Sequence, residues 1–232
     1  MDTNPHQSDS LHQSEIFIGL TREQNAALLK EGRSITFQPK SILFHQGDPA
    51  KHCYLVNQGR LKLTKLNEQG REVIIGYIGA GELTAVTALF KNRNYLVTAE
   101  SLEETEVIGW DKPKMIHLIH QYPDIAINLL GIVLERIDDM QHRYLEVCTE
   151  YVDQRIARSL LRLMRRAGSK TRDGILIDIA LSRQNIADYS GTTLYTVSRT
   201  LSAWEKNGWI KSGREQIVIT NPHALVQFAE TG

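Results

Sequence analysis

Apolar and polar positions along the chain switch between the period of a strand and the period of a helix. Residues 1 to about 14 are polar without periodicity and read as a frayed tail. From Ile16 to Glu31 the pattern is amphipathic, with Thr21 placed to cap a short helix carrying Ala27, Leu28 and Leu29. From Ser34 to Trp110 come short β-prone runs, SITF, SILF, CYLV, RLKLTKL, EVIIGYI, YLVTAES and EVIGW. Turn residues separate them at Gly47-Asp48, Asn57-Gln58-Gly59, Glu68-Gln69-Gly70 and Gly79-Ala80-Gly81. Turns at this spacing, around alternation such as Arg60-Leu61-Lys62-Leu63-Thr64, predict a compact antiparallel roll or barrel. The interior of a small barrel can hold a ligand.

Lys112 to about Gln121 reads as a helix that Tyr122-Pro123-Asp124 interrupts. The longest helical pattern follows, from Asp124 to Tyr151. Along it Ala126, Leu130, Val133, Ile137, Met140, Tyr144, Val147 and Tyr151 alternate steps of four and three. That is a coiled-coil seam, with Glu135, Arg136, Asp138 and Asp139 outside it. So narrow a stripe predicts a helix paired with its twin in a homodimer; the alternative is packing on the chain's own roll. Met and Tyr near its far end also suit the floor of a ligand pocket.

Beyond Tyr151, VDQRIA leads into ARSLLRLMRRAG, a helix stopped by Gly168, and then into an exposed, charged loop, residues 169–174. Ser182 can cap a short helix holding Ile186 and Ala187 inward, and Gly191 gives the freedom that a tight turn needs. Thr193 can cap a second helix that buries Val197, Leu201 and Trp204. Leu194, Tyr195, Ser198 and Arg199 then point outward from its first two turns, as in a helix-turn-helix presented to a major groove. Gly208-Trp209-Ile210-Lys211 and Gln216-Ile217-Val218-Ile219 flank Ser212-Gly213-Arg214, a hairpin wing behind that helix. The other reading of the pair is an ordinary helical hairpin with a polar surface.

Composition narrows the class. At 232 residues, 41% hydrophobic and 23% charged, the chain is long enough for two modest globular domains. No apolar run spans a bilayer and no secretion signal opens the sequence, so the expected location is cytoplasmic, with no membrane partner. Cys53 and Cys148 stand too far apart in sequence to suggest a disulfide framework or a thiolate metal centre. The net charge is zero, but from Tyr151 onward 12 Lys and Arg stand against 7 Asp and Glu, leaving 15 against 20 before it. A basic C-terminal lobe suits a polyanion. No nucleophile–base grouping, metal-ligand spacing or nucleotide-phosphate loop suggests an enzyme.

Inside the β-prone region Gly81-Glu82-Leu83 and Arg93 carry chemistry of their own. A glycine turn exposes backbone N–H groups, Glu82 can accept from sugar hydroxyls and Arg93 can pair with a phosphate. The residues alone fit better a Glu82 that caps the following turn, residues 84–90, and an Arg93 solvated in a loop.

In the order of its parts the chain resembles the catabolite-activator / fumarate-nitrate-reductase regulator family of bacterial transcription factors. The likeness runs over roughly 16–230, through the glycine-punctuated roll, the GEL segment, the long helix, VDQRIA, LSRQNIADYSG, TVSRTL and the wing. It implies an α+β chain: an antiparallel β-roll of the cyclic-nucleotide-binding jelly-roll kind (15–123, after a tail 1–14), a long dimerisation helix (124–151) and a winged helix-turn-helix (152–232). It also implies a dimer on a near-palindromic promoter site, with an effector in the roll shifting the DNA-reading domains.

Carried over by position, Arg183 contacts phosphate, and Thr193, Leu194, Tyr195, Ser198 and Arg199 read bases, with Arg199 forking onto a guanine. Many members place glutamate one turn before that arginine; this chain has Tyr195, so its half-site is expected to differ at that base. The loop around residues 171–174 resembles the polymerase-contacting surface, which leans toward activation with RNA polymerase as partner. For the effector, Gly81, Glu82, Leu83 and Arg93 match nucleotide-binding positions, but Asn94 and Tyr95 replace small residues. Met140 and Gln141, near Tyr144, stand where hydroxyl residues reach a purine. The tail has no thiolates for an iron–sulfur cluster. Haem on His45, His52, His117, His120 or His142, a thiol switch at Cys53 or Cys148, another small molecule or anion, and constitutive activity stay open beside a cyclic nucleotide. The competing function is a cyclic-nucleotide-sensing regulatory subunit that acts on a partner protein.

Overall fold

Strand-period alternation in the N-terminal half resolves into two four-stranded antiparallel sheets with an apolar core on each side of the strand at their centre. The computed structural model describes residues 14–90 and 93–231, so the expected tail, apart from Ser14, lies outside the described residues. After a 3-10 turn at Glu15–Phe17 comes helix α1 (Arg22–Glu31), started by a capping box between Thr21 and Gln24. The strands are β1 (Arg33–Phe37), β2 (Ile42–Phe44), β3 (His52–Gln58), β4 (Leu61–Leu66), β5 (Glu72–Ile78), β6 (Leu83–Thr84), β7 (Thr98–Ser101) and β8 (Thr105–Asp111). They pair in the orders β1-β8-β3-β6 and β2-β7-β4-β5.

Strand β3 reads as an unbroken apolar run because both its faces are covered. On one face Cys53 and Leu55 join Trp110, Leu28 of α1 and, from helix α2 (Lys112–Gln121), Met115 and Leu118. The Trp110 indole donates to the Leu28 carbonyl at 2.8 Å, which satisfies the one polar group of a fully buried side chain. On the other face Tyr54 and Val56 meet Phe44, Leu61, Leu63, Tyr95 and Val107 inside the roll.

The long helix α3 runs over Asp124–Thr149. It does pack on its own roll, but through Ile125, Leu129 and Ile132, with Val133 at the edge. Asn128 clasps the N-terminal turn, its amide donating to the carbonyls of Ile16 (2.9 Å) and Ile18 (2.8 Å). The seam side is left open: Leu130, Ile137, Met140, Tyr144, Val147 and Tyr151 are 42–74% exposed. By contacts the chain forms two compact units, Met1–Asp138 and Asp139–Gly232, and α3 contributes to both.

The second unit continues with α4 (Val152–Ala167), β9 (Gly168–Thr171), β10 (Gly174–Ile177), α5 (Arg183–Ser190), α6 (Leu194–Lys206), β11 (Ile210–Gly213), β12 (Gln216–Ile219) and α7 (Pro222–Thr231). The stretch 169–174, expected as a loop, belongs to a hairpin whose strand β10 also pairs with β12, giving the sheet β11-β12-β10-β9. Gly174 makes that junction possible, because a Cβ there would sit 2.3 Å from the Ile219 carbonyl oxygen. Helix α7, not anticipated from the sequence, buries Leu225 and Ala229, and its Phe228 meets Trp204 and Trp209 edge-on or tilted, at 5.7 Å each. No helix among the described residues is long and apolar enough to cross a membrane.

Candidate nucleic-acid interface

Local sequence sets each part of the α5–α6 pair. The Ser182 hydroxyl accepts from the Asn185 N–H, and Asn185 reaches back to the Ser182 N–H, both at 3.0 Å. Gly191 ends α5 in the left-handed region at φ 68°, and its N–H returns to the Ala187 carbonyl. Thr193 caps α6 by accepting from the Thr196 N–H at 3.2 Å. Val197, Leu201 and Trp204 turn inward and are almost wholly buried.

The opposite edge of α6 is open to solvent. Leu194 is 47% and Tyr195 76% exposed, Ser198 is half-buried, and Arg199 is exposed. The Arg199 side chain has no hydrogen bond or ion pair among the described residues, so both edges of its guanidinium fork are free. Arg183, at the start of α5, lies 4.0 Å from a Glu205 carboxylate oxygen. The other Glu205 oxygen accepts from the N–H of Ser212 in the wing at 2.9 Å and from its hydroxyl. Glu205 thus ties the end of α6 to β11 and orients Arg183. Neither Glu205 nor the wing contact was legible from spacing.

Arginines of α4 close the back of the reading pair. Arg155 donates to the Ser190 and Gly191 carbonyls at 3.5 and 3.4 Å, a cation at the negative end of α5.

The positions singled out in the roll have other occupations. Gly81 is left-handed (φ 84°) and Leu83 is buried in β6. The Glu82 carboxylate accepts from the Gly79 N–H at 2.6 Å and so closes the turn before it, where a cap on the later turn was expected. That later turn is opened by Ala85 in the left-handed region (φ 59°). Arg136 of α3 donates to the Leu83 carbonyl. Arg93 and Asn94 are exposed, Asn94 bridging to Pro49. Tyr95, which the sequence flagged only as a departure, fills the interior: its ring stacks on Phe44 at 4.1 Å and is 6% exposed. Its hydroxyl accepts from the His52 N–H (3.1 Å) and donates to the His52 carbonyl (3.0 Å). Of the positions matched to nucleotide binding, Glu82 thus spends one carboxylate oxygen on its own turn, and the ring of Tyr95 is committed to the roll's core. Met140, Gln141 and Tyr144 are exposed on α3, in the part that belongs to the second unit.

Comparison with known proteins agrees with both units. Residues 34–122 match the cyclic nucleotide-binding domain family and 154–228 the Crp-like helix-turn-helix domain family. The chain is 23% identical over 219 residues to the CRP-like cAMP-activated global transcriptional regulator of Mycobacterium tuberculosis, covering 94% of this chain and 98% of the relative. It is 28% identical over 202 residues to the transcriptional activator protein Anr of Pseudomonas aeruginosa, covering 87% and 82%. Among solved structures it resembles FixK2 from Bradyrhizobium japonicum, with a TM-score of 0.72 at 24% identity, covering 84% of this chain and 96% of that one. Two family matches in this order, on a roll and on a capped helix-turn-helix with its wing, place the chain in the CRP/FNR family of DNA-binding transcription regulators.

Proposed function

We propose that this regulator acts in the cytoplasm as a homodimer on a near-palindromic promoter site, more as an activator than as a repressor. The observation that carries this is the open edge of α6, where Arg199 is free of partners and the helix buries its other face. Arg199 forks onto a guanine, Leu194 and Tyr195 lie against thymine methyls, and Thr193 and Ser198 add hydrogen bonds. Arg183, oriented by Glu205, takes a backbone phosphate. The apolar seam of α3, exposed on the single chain, supports pairing with a second copy, which sets two α6 helices about one duplex turn apart. A small-molecule effector in the roll biases that pair. The exposed tip of the β9–β10 hairpin, residues 171–173, suits a contact with RNA polymerase.

Fluorescence anisotropy on random-site selected duplexes tests the reading. Inverted repeats are expected to bind at least tenfold more tightly than single half-sites, with strong salt dependence and loss on Arg199→Ala. Equal binding to both, or an Arg199→Ala variant as tight as the parent, would refute it.

A further inference from the structure

The ladder β1-β8-β3 holds a cavity of about 340 Å³ on the face that carries Tyr54. Register places Arg33, Gly109 and Tyr54 in one row across the three strands, with His52 opposite Asp111 in the next. Gly109, at the centre, has no side chain, and a Cβ there would meet the Tyr54 ring at 3.0 Å. The row is therefore a trough with a guanidinium on one side and an aromatic ring on the other. Its volume lies in the range of about 300–1,000 Å³ usual for small-molecule sites.

The lining is of two kinds. Tyr54 and Ile35 supply the apolar wall. Of the charged groups, Asp111 accepts from the Lys114 N–H at 2.9 Å, and the Lys114 ammonium donates to the Glu31 carbonyl at 3.1 Å. The Arg33 side chain has no hydrogen bond or ion pair among the described residues, and the His52 ring has only its 6.0 Å contact with Tyr54. Arg33 and Lys114 against Asp111 leave one net positive charge in the lining, and of the two cations Arg33 is the one whose side chain holds no hydrogen bond. One guanidinium fork matches one carboxylate, and Asp111 on the same cavity wall disfavours a second negative charge.

We propose that this cavity binds a small monocarboxylic acid with a flat or compact apolar body. The carboxylate pairs with Arg33 and the body lies on Tyr54 and Ile35. This rests on the reading of the roll as the effector-sensing domain and gives the effector a chemical class and a site away from Gly81, Glu82 and Arg93. The site has a route to the rest of the roll. Tyr95 is bonded to the His52 backbone through its hydroxyl and stacked on Phe44, so displacement of His52 or Tyr54 moves the segment 93–95.

The full chain is titrated calorimetrically with phenylacetate, benzoate and hexanoate, and with inorganic phosphate and benzamidine as comparators. At least one carboxylate is expected to bind at least tenfold more tightly than phosphate or benzamidine. Arg33→Gln, at an exposed position, should weaken that binding at least tenfold without lowering the melting temperature of the free protein. No binding of the three carboxylates at millimolar concentration overturns the proposal. So does equal or tighter binding of either comparator, or an unchanged affinity in Arg33→Gln. Loss of DNA binding is read separately on Arg199→Ala, so a failed cavity and a failed regulator reading are told apart.

Discussion

Arg143, in the last third of α3, lies over the ring of Tyr189 on α5, its guanidinium carbon 4.6 Å from the ring centroid, and donates to the Tyr189 carbonyl at 3.1 Å. Around this contact Arg162 pairs with Glu146 at 2.5 Å and Arg158 with Glu150 at 2.7 Å. The final turns of α3 are therefore bound by charge to α4 and α5. Arg143 and Arg162, both on the Tyr189 ring, thereby tie these turns to the helix that precedes α6.

Burial works against the charge of Arg162, but the Glu146 carboxylate, by hydrogen bond and by charge, together with Tyr189, holds its pKa above the usual arginine value. Glu146→Ala leaves that guanidinium half-enclosed without its counter-charge. The expected loss is about 3 kcal/mol, the lower end of what breaking a buried pair costs, because both side chains keep some exposure (18% and 13%). Glu146→Gln should cost less, since the acceptor survives. Urea unfolding of the three proteins measures both, and a Glu146→Ala curve superimposed on the parent's would remove the clamp from the mechanism.

At the interface, Arg199→Ala should cost about 1–3 kcal/mol of binding to the best site and relax selection at one base pair. Arg183→Ala should weaken all sequences alike and reduce the salt slope by about 0.9. Tyr195→Glu restores a carboxylate one turn before Arg199 and should shift the selected half-site toward a cytosine there. Site selection from random DNA on the parent and Tyr195→Glu checks this, and identical consensus sequences would exclude Tyr195 from base reading.

Ile137→Asp places a charge in the seam at a residue that is 42% exposed in the single chain. The fold of each unit should tolerate it, while a paired stem should not. Sedimentation velocity is expected to show a monomer, with inverted-repeat affinity falling to that of a half-site. A variant that still sediments as a dimer would move the subunit contact off this stripe.

What the sequence disclosed follows from how local each signal is. The α5–α6 pair was readable to the residue because Ser182, Gly191 and Thr193 act within four positions of themselves. The exposed apolar stripe of α3 was readable because Leu130 through Val147 repeat on one helix, whereas Tyr151, expected on the same helix, lies beyond its end at Thr149 and caps α4. Strand β6 escaped notice at two residues long, and β9 because all four of its residues are exposed and show no alternation. Tyr95 is the clearest case of tertiary control. Its partners Phe44 and His52 lie more than forty positions away, so nothing near it in sequence announces that it fills the roll.

The two thiols should behave oppositely. Cys53 is fully buried, and burial pushes its pKa up to about 12, against the smaller lowering effect of the backbone contacts. At pH 8 roughly one in ten thousand such groups is a thiolate. Cys148 is exposed. Ellman's reagent on the native protein is expected to count one fast thiol, lost in Cys148→Ser, and a second only after unfolding. Rapid modification of Cys53 in the native state would reopen a thiol switch inside the roll.

Glu15, in the turn that Asn128 clasps, has its carboxyl held above the usual value of 4.5. Burial is the largest cause, followed by the charge of Glu135 and a hydrogen bond to it, then the charge of Glu82; Arg136 pulls the other way. The folded chain thus binds this proton more tightly than the unfolded one. Its stabilising contribution is complete below the ordinary carboxylate range and is lost as pH rises through the raised value. Glu15→Gln imitates the protonated form, so the variant should melt higher than the parent at neutral pH, with the gap closing as pH falls below 4.5. A melting series on both proteins across that interval decides it. A variant that melts lower than the parent at neutral pH would mean that the pull of Arg136 outweighs the two neighbouring carboxylates, and that the clasp of the N-terminal turn on α3 is tightened, not loosened, by ionisation.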